Sequence, residues 1–62
     1  MKVQVQVAGG SIQAKEADTV EELAQMVGAI GYVATVNGEP VDGDYELSDY
    51  EFVSFAKPVK AG

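Results

Sequence analysis

Residues 2–7 read Lys-Val-Gln-Val-Gln-Val, a polar–apolar alternation without a miss. Successive side chains on a strand point to opposite faces, so Val3, Val5 and Val7 share one side and Lys2, Gln4 and Gln6 the other. Such a strand is covered on one face only. The remainder of the chain must therefore supply a cover for the valines, and it has only 62 residues in total from which to do so. That length is one domain, able to bury about 60% of the surface its unfolded chain exposes. There is no cysteine and no histidine, so neither a disulfide nor a zinc site staples the fold. An apolar fraction of 47% with two prolines is ample for folding and too high for a disordered tail.

Ala8-Gly9-Gly10-Ser11 supplies a hairpin turn after the first strand, and Ile12-Gln13-Ala14-Lys15 runs back as the second. Ile12 and Ala14 are expected inward. Residues 18–28 then change period. Val20, Leu23, Ala24 and Val27 fall on one helical stripe of about three turns. Thr19 with Glu22 forms a capping box, and Asp18 with Glu21 offers an alternative register. Gly28 and Gly31 both suit the C-terminal stop. A helix this short depends on a sheet for its stability.

Tyr32-Val33-Ala34-Thr35-Val36 is a β-rich run, and Asn37-Gly38 after it is a strong hairpin signal. Glu39-Pro40-Val41 makes a short return strand, which its proline confines to an edge. Residues 42–49 turn and cross the end of the sheet, with Leu47 as apolar anchor. Residues 51–56 form the last strand, and residues 57–62 are expected to be a flexible C-terminal tail. The order strand, strand, helix, strand, short strand, strand closes in few ways. The right-handed crossover rule puts the helix across one face of a mixed four- or five-stranded sheet. This is an α+β architecture of the β-grasp, ubiquitin-like kind, occupying residues 1–62 as a single domain.

Ten acidic residues stand against four lysines, without arginine, for a net charge of −6. Phosphate contacts need a basic surface, so no nucleic-acid partner is expected. An acidic surface suits encounters with basic patches on proteins, and it also keeps a small domain soluble. No apolar run approaches the roughly 20 residues of a membrane span, and no signal-peptide pattern opens the chain. The expected location is cytoplasmic, with no membrane partner.

Catalysis is poorly supplied, and the chain is read as no enzyme. Without histidine or cysteine, only carboxylates, lysines, serines and three tyrosines remain, and one helix on one sheet leaves little room for a cleft. Six carboxylates between Glu39 and Glu51 superficially suggest a calcium loop starting at Asp42. The pattern then fails: Leu47 stands where glycine is needed and Val53 where a closing glutamate should be. No metal and no cofactor are expected. Gly9-Gly10 lacks the lysine and helix start of a phosphate loop, so it is a turn.

Two features are left for function. In an alternating last strand Val53 and Phe55 take one face, and Phe52, Ser54 and Ala56 the other. One helix covers one face, which leaves Phe52, with Tyr50 and either Val33 or Tyr32, as a contact patch on the open side. The competing reading inverts the faces or tucks Phe52 under the crossover. The other feature is the end Val59-Lys60-Ala61-Gly62. A terminal glycine is the slimmest substrate an enzyme channel can receive, although an ordinary frayed terminus has the same composition.

At Val36-Asn37-Gly38-Glu39-Pro40-Val41, at Leu47-Ser48-Asp49, at Val53 and Phe55, and at Pro58-Val59 with the final glycine, the sequence resembles the ThiS/MoaD family of ubiquitin-like sulfur carriers. The helix start Thr19-Val20-Glu21-Glu22-Leu23 is similar to that family's T-V-x-E-L segment. The resemblance implies activation of the Gly62 carboxylate by a ubiquitin-activating-type adenylating enzyme, conversion to a thiocarboxylate, and delivery of sulfur to a downstream synthase. Gly62 and Ala61 are then the carrier terminus, while Phe52, Tyr50, Val59 and Lys60 contact partners. The aromatic patch is also a route to a homodimer. A module that binds through its open sheet face without being conjugated is the alternative. Three positions depart from the family pattern. Ala61 stands where a glycine usually precedes the last residue, Tyr50 occupies the turn glycine, and Phe52 a position that is usually polar. A tyrosine at positive φ costs about 1–2 kcal/mol, so a rebuilt turn is expected there.

Overall fold

The computed structural model describes residues 1–58. Five strands and one helix follow in the order β1 (Lys2–Val7), β2 (Ile12–Glu16), α1 (Val20–Val27), β3 (Val33–Val36), β4 (Glu39–Val41) and β5 (Phe52–Ala56). The strands form one mixed sheet, β2-β1-β5-β3-β4. β1 and β5 lie parallel at its centre, and the remaining neighbours are antiparallel.

The alternation expected in β1 is realised. Val3 and Val5 are buried, and beside them Val53 and Phe55 of β5 and Ala34 and Val36 of β3 complete the covered face. Val20, Leu23 and Ala24 of α1 pack onto it, with Leu47 from the crossover. Among the described residues no polar side chain is buried. The two faces of β5 are thus as read from the sequence, with Phe52 on the uncovered side.

Local chemistry selects among the alternatives at the helix ends. Thr19 is the N-cap, its backbone extended and its Oγ1 accepting from the Glu22 N–H at 3.2 Å. Oε1 of Glu22 reaches back to the Asp18 N–H at 3.3 Å, one residue further than the usual box. Gly28 ends the helix with φ 71°, a left-handed conformation that glycine adopts without steric cost. The helix is therefore eight residues long, closer to two turns than three. Its first free donors are met by a distant segment: the Val20 N–H bonds to the Tyr45 carbonyl at 3.1 Å and the Glu21 N–H to that of Gly43 at 2.7 Å. The Leu47 N–H returns a bond to the Asp18 carbonyl at 2.8 Å. These bonds hold the crossover under the helix start.

The Asn37-Gly38 hairpin forms as expected, with φ of 52° and 88° and Val36 opposite Glu39. The first hairpin overturns one expectation. Val3 pairs with Lys15 and Val5 with Gln13, so Gln13 and Lys15 lie on the helix side. Ile12 and Ala14 lie on the other, and Ile12 is 56% exposed. The short helix crosses the central strands and leaves β2 as an edge, where polar side chains on the covered side still reach water. Tyr50 corrects another expectation. It keeps φ 67° in a turn closed by the Glu51 N–H on the Ser48 carbonyl at 3.4 Å. The turn is retained with a tyrosine in the left-handed position.

Candidate functional site

The uncovered face of the sheet is built from alternate residues of all five strands. One row across it reads Ile12, Gln6, Ser54, Thr35 and Pro40, and the adjoining row Ala14, Gln4 and Phe52. Val33 and Ala56 pair at the far end of β5. Phe52 is half-buried, while Ile12, Ala14, Val33 and Ala56 are exposed. Among the strand positions on this face only Lys2 and Glu16 carry charge, and they stand opposite one another. An apolar, hydrogen-bonding surface with no net charge is suited to burial against another protein.

Tyr50 projects at the edge of this face. Its N–H bonds to the Lys2 carbonyl at 2.7 Å, and the Lys2 N–H bonds to Oδ1 of Asp49 at 3.0 Å, which ties the turn to the start of β1. A shallow depression there is shared by Lys2, Gln4, Ala14 and Tyr50. Tyr50 is 85% exposed, so its ring gains little from the fold, yet its backbone occupies a conformation that disfavours a side chain.

Glu51 organises the approach to β5. Its carboxylate accepts the Tyr45 hydroxyl at 3.0 Å on Oε2 and the Ser48 N–H on Oε1 at 2.6 Å. The hydrogen bond to this carboxylate is the main reason the Tyr45 phenol is raised above its ordinary value, with burial and the Glu51 and Glu39 charges acting in the same direction.

The sequence groups Tyr50 and Phe52 with Val59 and Lys60 as partner contacts. Tyr50 and Phe52 lie at the start of β5, and the chain leaves the sheet at its other end, where Ala56 pairs with Val33. Four residue steps make that distance about 13 Å. Lys57 and Pro58 follow, both exposed. The partner contacts assigned to Val59 and Lys60, and the reactive end at Ala61 and Gly62, lie outside the described residues. Tyr32, an alternative member of the patch, packs against the core from the helix side, whereas Val33 is on the open face. Ile12 and Ala14 belong to the face but were missed. Centring the first hairpin on Gly9, which puts odd positions of β2 opposite the odd-numbered valines, is the signal that would have found them.

The chain aligns over its full length with a chain, likewise covered in full, from a protein–protein complex of subunits 1 and 2 of molybdopterin-converting factor from Helicobacter pylori. The TM-score is 0.75 and the sequence identity 20%. The chain has the β-grasp fold. No protein-family model matches it, and no curated protein sequence does.

On this β-grasp the charge is strongly polarised. Nine of the ten acidic residues, all but Glu16, come from residues 18–22 and 39–51. These two segments are joined by the bridge between Thr19 and Glu46 and the hydrogen bonds described above. One pole of the molecule is acidic, and the sheet face is not. Among the described residues no three carboxylates converge as a metal site, and no helix is long and apolar enough to cross a membrane.

Proposed function

We propose that this chain is a ThiS/MoaD-like sulfur carrier or small protein modifier that acts through Gly62 and is not itself an enzyme. The observation that carries the reading is the full-length likeness to a chain of the molybdopterin-converting factor complex. In this reading a ubiquitin-activating-type enzyme transfers AMP from ATP to the Gly62 carboxylate, releasing pyrophosphate. A sulfur donor then displaces AMP and leaves a thiocarboxylate. A synthase subunit accepts the sulfur, and the chain works in the cytoplasm without a cofactor of its own.

Each part of the chain has a task in that sequence. Gly62 presents a carboxylate with no side chain beside it, while Ala61 adds a methyl group that the channel of the activating enzyme must admit. Val59 and Lys60 line the approach. Phe52 and Tyr50, at the start of β5, dock the partner, so one partner covers the sheet face while it holds the tail. The test is the intact mass of the full chain after incubation with ATP, an activating enzyme of this class and a sulfide donor. Adenylate addition, followed by exchange of one oxygen for sulfur, is the expected result. An unaltered mass with an enzyme that modifies its own carrier would reject the reading.

A second reading has its own supporting observation: Tyr50 is both strained in backbone and almost fully exposed, as befits a contact residue. In it the chain is an interaction module that binds through the open face and whose tail is inert. Deletion of Gly62 then leaves partner binding and biological activity unchanged, whereas Phe52→Asp abolishes both.

A further inference from the structure

The helix side of the molecule carries a second concavity, distinct from the open sheet face. It lies between α1 and the β3–β4 edge, with a volume of about 240 Å³. Small side chains make it: Ala24 on the helix, Ala29 after it and Ala34 on β3 leave space that larger residues would close. Ile30 and Tyr32 border the same groove, and Ile30 is 71% exposed, the highest value among the large aliphatic side chains described. Sites for small molecules and cofactors usually run from about 300 to 1,000 Å³. The volume here suits a single bulky aliphatic side chain.

The groove has a charged side as well. Glu21 and Gly43 border it, joined by the 2.7 Å bond between their backbones. A Cβ placed on Gly43 would meet that of Glu21 at 3.4 Å, an ordinary van der Waals contact, so the two backbones lie side by side. Asp42 and Asp44 flank Gly43 in the chain. Among the described residues the one ion pair joins the N-terminal ammonium to Asp18 at 3.6 Å, so Glu21, Asp42 and Asp44 have no cationic partner there. Apolar contact and negative charge thus adjoin one another in a single groove.

We infer that this groove docks a short peptide segment of a partner protein in which a leucine-like side chain is flanked by lysine or arginine. The aliphatic group fills the space beside Ala24 and Ala34, over Ile30, and the cation faces Glu21 and the Asp42–Asp44 turn. A second copy of this chain is a poor occupant, because it brings a net charge of −6 toward the acidic pole. The inference does not rest on the carrier reading. Phe52 does not border the groove.

The test is a titration of the 15N-labelled full chain with the acetylated, amidated peptide Lys-Ala-Leu-Ala-Lys, followed by amide chemical shifts. Shifts confined to Glu21, Ala24, Ile30, Tyr32 and Gly43, weakening with added salt, are expected. Ile30→Glu should abolish them without altering the remaining spectrum, since Ile30 is outside the core. Glu21→Gln should weaken binding about two- to fivefold, the range of an exposed ion pair. The matched peptide Glu-Ala-Leu-Ala-Glu should not bind. The inference is overturned by an absence of shifts, or by shifts at Gln4, Gln6 and Ser54 instead. It is equally overturned if groove shifts arise from protein concentration alone, which marks a second copy, or if deletion of residues 59–62 moves the groove signals, which marks the chain's own end as occupant.

Discussion

The Tyr45 hydroxyl donates to Oε2 of Glu51 at 3.0 Å, and this bond clamps the crossover beneath α1 to the first residues of β5. The two residues are only six apart, but they join parts of the fold with different partners. The Tyr45 carbonyl accepts the first helical N–H, and Glu51 precedes the central strand. Because the other Glu51 oxygen holds the Ser48 N–H, the same carboxylate also shapes the turn that presents Tyr50. Helix start, turn and docking face are mechanically connected through one acidic side chain.

That clamp predicts a particular alkaline sensitivity. The neutral phenol is the donor, so folding raises its pKa above the unfolded value of about 10. Its contribution is full below the unfolded pKa and is lost as pH rises through the folded one. Urea midpoints measured from pH 8 to 12 should fall more steeply for the natural chain than for Tyr45→Phe. Parallel curves would show that the hydroxyl adds nothing to stability.

Tyr50 offers a substitution that should improve the fold and harm binding. A non-glycine residue at φ 67° costs about 1–2 kcal/mol, and glycine returns part of that gain through its greater unfolded-state entropy. Little burial is lost, because the ring is 85% exposed. Tyr50→Gly should raise unfolding free energy by about 0.5–1 kcal/mol in chemical denaturation, while affinity for a sheet-face partner declines. A destabilised variant would mean that the ring supports the turn.

The helix cap is a cheaper structural test. Thr19→Ala removes the acceptor for the Glu22 N–H and should cost about 1 kcal/mol. Asp18→Ala should cost less by the same denaturant measurement, since Asp18 is not the cap and its ion pair is exposed. Equal losses would place the cap one residue earlier.

Phe52 and Phe55 lie on one strand and on opposite faces, which predicts opposite phenotypes. Phe55 is 1% exposed, and its truncation to alanine should cost about 3–5 kcal/mol, enough to unfold much of so small a domain. Phe52→Ala, at a half-buried position, should cost about 1 kcal/mol and leave a native amide spectrum. Reversed magnitudes would invert the assignment of the sheet faces.

Much of this architecture is legible in residue order because the relevant physics is short-range. The Lys2–Val7 alternation identifies a one-sided strand, Thr19 with Glu22 and Gly28 bound the helix, and Asn37-Gly38 turns the chain with both residues at positive φ. The division of β5 into a Phe55 face and a Phe52 face follows from the same period of two. Each of these depends on neighbours within a few positions.

Register, capping across the chain and the shapes of the surfaces depend on tertiary structure. Whether Ile12 or Gln13 faces the helix is decided by how the first hairpin closes, since one residue of shift exchanges the two sides of a strand. Tyr50 remains left-handed because bonds to Lys2 and between Ser48 and Glu51 hold its turn, and no local preference of tyrosine would choose that state. The groove beside Ala24 likewise arises from three alanines that only the fold brings together. Local sequence determines which elements can form. Contacts between distant residues determine which side of each element is left to meet another molecule.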